Sequence, residues 1–204
     1  MEERKFYLDP HRYYGRPVHS NGPGELHNPS DRIAQELACY DLLDSLGIVF
    51  TRVDHAHADT IEDCHAVEAV LGWPVCKNLF LCNRQKTQYY LLMLEGDKVF
   101  KTKDLSKQLG VSRLSFAGPE DMQQLLGVQP GSVTVLGLMH DRDKKVQLVM
   151  DRPIYEAASV ACHPCISTST LCFSRQDLLE RLLPAMEHTP IVVDLPDPEE
   201  EPAI

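Results

Sequence analysis

Glycine punctuation constrains this chain more than any other feature of its sequence. Gly47, Gly72, Gly110 and Gly127 each follow a segment with helical start signals or an apolar stripe, where a residue free to turn left-handed closes a helix. Asn28-Pro29-Ser30 opens the first helix, striped by Ile33, Leu37, Tyr40, Leu43 and Leu46. Thr60-Ile61-Glu62-Asp63 reads as the capping box of the second. Lys103–Leu109 and Pro119–Leu126 supply two more, the latter opened by Gly118-Pro119-Glu120-Asp121. Ser174-Arg175-Gln176-Asp177 caps a last one carrying Leu178, Leu179, Leu182 and Leu183.

Short strands fill the intervals. Ile48–Val53 is β-branched and aromatic. Cys76–Cys82 and Gln88–Leu94 flank Asn83–Thr87 as a hairpin. Ser132–Met139 and Lys145–Met150 read as strands joined by a turn over 140–144, with shorter ones at Tyr155–Ala161, Thr168–Phe173 and Ile191–Val193. Helices mixed with hairpins, without regular βαβ alternation, indicate an α+β fold with a mixed, curled sheet surrounded by helices. A chain of 204 residues suits one well-packed domain. Residues 1–28, rich in Tyr, His, Pro and Gly, read as an extended arm, residues 29–193 as the domain, and residues 194–204 as an acidic, disordered tail.

No apolar run approaches the roughly 18–20 residues that cross a bilayer, and Met-Glu-Glu-Arg-Lys leads into no apolar signal region. The expected location is cytoplasmic, away from membranes. Seven cysteines scattered among core segments read as reduced thiols. A net charge of −10 argues against coating DNA by charge alone. Residues 77–113 nevertheless carry eight Lys/Arg against three acids. Such a stretch fits either one phosphate-rich partner or an ordinary solvated face.

Three constellations can carry chemistry. Cys162-His163-Pro164-Cys165 has the spacing of a redox pair or half a zinc site, but the residues after it look extended and no second C-x-x-C exists. His55-Ala56-His57 and Cys64-His65 match no standard metal spacing. Lys77-Asn78 opens the apolar strand Leu79-Phe80-Leu81. An ammonium there suits a phosphate or a developing oxyanion, and an amide can hold a carbonyl or an amine. The run from His163 to Thr170 sets a histidine beside a rigid proline, then alternating hydroxyls that can line one face of a polar pocket. Taken singly, these residues equally describe a strand-end lysine in water, an exposed Ser/Thr edge and packed thiols. Neither G-x-S-x-G nor a glycine-rich phosphate loop is present.

In order along the chain stand Leu43-Asp-Ser-Leu-Gly-Ile48, Val53-Asp-His55, Lys77-Asn78-Leu-Phe-Leu81, Lys101-Thr-Lys-Asp-Leu105, Ser115-Phe-Ala-Gly-Pro-Glu120, Gly127-Val-Gln-Pro-Gly-Ser-Val-Thr134 and His163-Pro164. This ordered set, from about residue 31 to 193, resembles the YbaK/ProX editing-domain family, in particular its proline-tRNA branch. The resemblance implies a curled, barrel-like sheet around a small pocket. It implies hydrolysis of the ester that joins a wrong amino acid, alanine foremost, to the terminal adenosine of tRNA(Pro). Lys77, His163 and Gly131 would then be catalytic: Lys77 at the substrate's phosphate, ribose or aminoacyl end, His163 on the pocket wall, Gly131 in the loop whose N–H groups face the scissile carbonyl. Asn78, Ser132, Ser167 and Thr168 would bind substrate. Water assisted by a ribose hydroxyl would attack, and no metal or cofactor is required. Aminoacyl-tRNA(Pro) and prolyl-tRNA synthetase are the implied partners. Two positions depart from the family pattern: Ser167 stands where Asn is common, and Val135 where a Pro often follows the loop glycine. A Cys-tRNA(Pro) deacylase, a noncatalytic tRNA- or synthetase-binding protein, and a thiol or zinc protein built on Cys162 and Cys165 are the competing readings.

Overall fold

The computed structural model describes residues 6–17, 32–58 and 60–197. The expected helix start at Asn28-Pro29-Ser30 lies outside them. Helix α1 (Ala34–Ser45) buries Cys39, Tyr40 and Leu43. Ile33, read from the sequence as part of that stripe, is 42% exposed. Helix α2 (Ile61–Leu71) has the expected box: the Asp63 N–H donates to Thr60 Oγ1 at 3.1 Å, and the Thr60 N–H donates to Asp63 Oδ2 at 3.2 Å. Gly72 ends it at φ +80°, and a Cβ there would stand 2.9 Å from the Arg12 guanidinium. Helices α3 (Thr102–Leu109) and α4 (Pro119–Leu126) follow as read, each closed by its glycine.

The strands pair into two sheets. The first, wholly antiparallel, runs β1 (Tyr13–Tyr14), β2 (Phe50–Asp54), β8 (Ser169–Ser174), β7 (Ser159–Cys162). The second, mixed, runs β5 (Ser115–Phe116), β3 (Lys77–Cys82), β4 (Tyr89–Leu94), β6 (Val146–Asp151), β9 (Ile191–Val193), with β6 parallel to both neighbours. The α+β, mixed-sheet expectation holds. The barrel does not: pairing divides between two sheets, and no closed ring of strands forms among the described residues. A single bridge between Val75 and Ala161 links them.

Strand β4 explains the core. All six residues are buried, and their alternation feeds two clusters. Tyr89, Leu91 and Met93 join the large cluster that also takes in α1 and the first sheet. Tyr90, Leu92 and Leu94 join a second with Leu105, Leu114 and Val193.

Four sequence readings need correction. Ser132–Met139 is no strand: Val135–His140 forms a 3₁₀ helix, started by the Thr134 hydroxyl accepting from the Leu136 N–H. The apolar run Val135–Met139 has no two-residue alternation to specify a strand. Tyr155–Ala161 splits, because Pro153 favours a first helical turn and Arg152–Glu156 (α5) forms before β7 begins. Residues 194 and 195, read as the start of the tail, belong to the fold. Leu195 is buried, its N–H donates to Asp151 Oδ1 at 2.9 Å, and Asp194 pairs with Arg152. At the other end, part of the presumed arm is a strand, since Tyr13–Tyr14 pairs with β2.

Candidate active site

The link between the sheets creates the site. Both the Cys76 N–H (3.0 Å) and its thiol (2.9 Å) donate to the Ala161 carbonyl. This ties the start of β3 to the end of β7, so that Lys77 and Asn78 stand across from His163. The three residues line one cleft of about 750 Å³, together with Leu79, Phe116 and Met122. A smaller chamber of about 180 Å³ adjoins it, lined by His55, His57, Val67, Ser167 and Thr170. Ala58, Cys64, Val75, Pro130, Gly131 and His163 border both spaces.

The Lys77 ammonium donates to the Lys98 carbonyl at 2.9 Å, which holds its stem along the cleft. Asn78 donates from Nδ2 to the Cys76 carbonyl at 3.1 Å, while its buried Oδ1 has no partner among the described residues. A buried acceptor without a donor is costly unless something else fills the role, so Oδ1 is a ready contact for an N–H or O–H. Gly131 lies at φ +87° with open space where a Cβ would be. The left-handed backbone requires glycine there, and crowding does not.

His163 is neutral at physiological pH: burial pushes its imidazole down to about 4, reinforced by His55 and His57 and opposed by the Ser169 carbonyl. Its Nδ1 lies 2.9 Å from that carbonyl and 3.3 Å from Thr170 Oγ1. Ser167 lies 2.5 Å from His57 Nδ1 in the chamber wall.

Two expected contacts fall elsewhere. The Ser132 hydroxyl turns into its own loop, donating to the Gln129 carbonyl at 2.9 Å, so it shapes the turn that presents Gly131. Thr168 lines neither space, and its carbonyl accepts the His55 N–H at 3.0 Å. The hydroxyl that β8 delivers to the wall is that of Thr170, and the buried histidine beside it is His55. The sequence offered Thr170 only as the end of a hydroxyl run and His55 only within a motif and an unmatched metal spacing, and it assigned neither a specific role, because only strand pairing brings the two together.

The basic stretch is partly spent inside the molecule. Lys98 pairs with buried Asp151 at 2.8 Å, whereas Lys86, exposed, pairs with Asp121 at 2.8 Å on the surface. Among the described residues, no three His, Cys, Asp or Glu side chains gather as a metal site would require. Both C-x-x-C thiols are buried, and Cys165 contacts Cys39 at 3.5 Å. No helix among the described residues is long and apolar enough to cross a membrane.

Comparison with known proteins places this geometry. A family model described as an aminoacyl-tRNA editing domain matches residues 55–180. The prolyl-tRNA editing protein ProX of Acetoanaerobium sticklandii is 30% identical over 153 residues, which span 75% of this chain and 93% of the relative. Prolyl-tRNA synthetase associated domain-containing protein 1 of Mus musculus is 33% identical over 156 residues, 74% of this chain and 91% of its own. A solved structure described as a candidate trans-editing enzyme for prolyl tRNA synthetase superposes with a TM-score of 0.59. It covers 81% of this chain and 99% of its own at 17% identity, a likeness of fold alone.

Proposed function

The chain belongs to the aminoacyl-tRNA editing domain family, and from that premise we propose that it is a trans-acting hydrolase that deacylates Ala-tRNA(Pro). The observation that carries this reading is the two-part hollow: a cleft of about 750 Å³ opening onto a chamber of about 180 Å³. The terminal adenosine occupies the cleft and the aminoacyl group the chamber, with the ester at their shared border beside His163 and Gly131. Val67 and Val75 give the chamber apolar walls suited to a methyl group.

A synthetase that binds proline cannot reject smaller amino acids by fit, because one methylene is worth only about 1–3 kcal/mol, roughly 10–200-fold. A separate small chamber supplies the missing discrimination. The ester is already activated, so positioning and oxyanion stabilisation suffice. Lys77 meets the substrate's phosphate or ribose, Asn78 Oδ1 accepts from a ribose hydroxyl or the α-ammonium, and the N–H groups of the Gly131 loop face the scissile carbonyl. Water attacks with help from the neighbouring ribose hydroxyl. Ser167, bonded to His57, closes the chamber where relatives often carry Asn. The names of the relatives support prolyl-tRNA synthetase as the enzyme whose errors are corrected.

The test is release of amino acid from Ala-, Cys- and Pro-tRNA(Pro) by the purified protein. Alanine is released fastest and proline is spared. Lys77→Ala lowers kcat/KM by about 10–150-fold, the cost of one lost hydrogen bond to a charged group. Preference for cysteine moves the assignment to a Cys-tRNA(Pro) deacylase, and full activity of the lysine variant overturns the site.

A further inference from the structure

Two buried side chains of the chamber wall, His55 and Thr170, have their hydrogens ordered by their surroundings. The order starts at a group with no choice. The Ala56 carbonyl can only accept, and it lies 2.7 Å from His55 Nδ1, so that nitrogen carries the hydrogen. Burial lowers the pKa of the His55 imidazole and favours its neutral form, which leaves Nε2 as an acceptor. Thr170 Oγ1 lies 2.8 Å from that Nε2 and must donate to it. Its single hydrogen is then committed, and only lone pairs face His163 Nδ1 at 3.3 Å. The Ser169 carbonyl, 2.9 Å from the same nitrogen, also only accepts.

We propose that His55 and Thr170 are positioning residues of this site, a relay that fixes His163 with hydrogen on Nδ1 and a lone pair on Nε2. This rests on His163 bordering the editing site as read above. The Ser169 carbonyl alone favours the same tautomer. A freely rotating hydroxyl at the Thr170 position would compete by offering its hydrogen to Nδ1. His55 takes that hydrogen away, so the hydroxyl reinforces the carbonyl. All three supporting groups are buried, with Ser169 0%, Thr170 1% and His55 3% exposed, so bulk solvent offers them few competing partners. His163, bordering both spaces, thereby presents an acceptor to a donor on the aminoacyl end of the substrate, either the α-ammonium or the attacking water.

The experiment combines ¹⁵N-histidine NMR of the full chain with steady-state deacylation. In the wild type, His163 shows a protonated-type Nδ1 and an unprotonated-type Nε2. His55→Phe frees the Thr170 hydroxyl to donate to Nδ1, shifts His163 toward Nε2–H and lowers kcat by about tenfold with KM within about twofold, the effect of one misdirected hydrogen bond. Thr170→Val leaves the Ser169 carbonyl to hold Nδ1 and keeps the wild-type tautomer, alone and when combined with His55→Phe. Thr170→Ser keeps the hydroxyl and His55→Gln places an amide oxygen near the former Nε2, so both restore the wild-type tautomer and most of kcat. Nε2–H in the wild type overturns the relay. So do a wild-type tautomer and kcat in His55→Phe. The wild-type spectrum needs neither a variant nor a substrate. A protein that hydrolyses no aminoacyl-tRNA yet shows the Nδ1–H form therefore fails the functional reading and keeps the relay.

Discussion

The two sheets solve opposite problems. In the five-stranded sheet, the central strand β4 is buried along its whole length by apolar side chains, and one ion pair, Lys98 with Asp151, is sunk beside it. The four-stranded sheet instead buries Arg52, Asp54, His55, Ser169 and Thr170. Apolar burial needs only volume to be filled, whereas buried charge needs a specific partner at a specific place. The apolar sheet is therefore a scaffold, and the polar sheet, whose strands end at the chamber, fixes geometry. Asp54 is the hinge of that arrangement. It accepts from Arg52 and, at 2.7 Å, from Arg32, which also pairs with Glu36.

The sharpest way to break the contrast is Asp54→Ala. It removes the carboxylate partner of Arg52 and leaves Arg32 with the Glu36 carboxylate, both guanidiniums being nearly sealed from water, and breaking such a buried pair costs about 3–5 kcal/mol. The denaturation midpoint should fall accordingly, and a loss below about 1 kcal/mol would mean that the charges are as dispensable as surface pairs. Burial pushes the Asp54 carboxyl pKa up, but Arg32 and Arg52 outweigh this and hold it below the usual carboxylate range. A depressed acid stabilises the fold above its unfolded pKa and loses that contribution as pH falls through the folded value. The gap between wild type and variant therefore narrows below about pH 4.

Leu92→Ala probes the other sheet. Leu92 is fully buried in the cluster with Leu81, Leu94 and Leu105. Truncation costs about 3 kcal/mol, transfer plus cavity. It leaves the KM for aminoacyl-tRNA unchanged, because Leu92 borders neither the cleft nor the chamber. A KM shift larger than about threefold would show that the scaffold and the site are coupled, since distant sites normally act independently.

The same contrast decides what was legible in the sequence. The apolar hairpin Cys76–Cys82 with Gln88–Leu94 could be read directly, because strand and turn signals are local. So could the Thr60–Asp63 box and the glycine-closed helices. Lys77, Asn78, Gly131 and His163 were reached through their motifs, and the cleft does bring them together. His55 and Thr170 stood in motifs too, but their contact was not legible, because it spans 115 residues and arises only when β2 pairs with β8. Ser132 and Thr168 were misplaced for a related reason. A hydroxyl in a motif says nothing about whether it turns outward or bonds its own loop. Val135–Met139 failed as a strand because a short apolar run fits several backbones equally well.

A gentler probe of the polar sheet is pH. His163 is held down to about 4 by burial and its histidine neighbours, while an unfolded histidine titrates near its ordinary value. A base whose folded pKa is lowered binds fewer protons when folded. The stability it contributes is present above about pH 6.5 and declines as pH falls toward 4. His163→Gln should flatten the denaturation midpoint across that window and leave it unchanged near pH 8. The effect is smaller than that of Asp54→Ala, because His163 edges an open space and water screens it. An identical slope in the variant would mean that the neutral imidazole is not enforced by the fold.

The smallest effect belongs to Cys165, and it separates chemistry from packing in the loop that carries His163. Cys162 and Cys165 are 0% and 3% exposed, too sealed to exchange with a substrate disulfide. Cys165, at φ +59°, faces Cys39 on α1, whose thiol donates to it at 3.5 Å. That donation makes Cys165 the more acidic partner of the two. The second thiol of the C-x-x-C thus anchors the loop to a helix. Serine keeps a small polar group in that place, so Cys165→Ser costs about 1 kcal/mol of stability. It leaves kcat/KM within about twofold, since loop position and not sulfur chemistry reaches the chamber. A chelator in the same deacylation assay leaves the rate unmoved. A large loss in the serine variant, restored by added zinc, would transfer the chemistry from the polar sheet to the thiols, because packing alone cannot make activity depend on a metal.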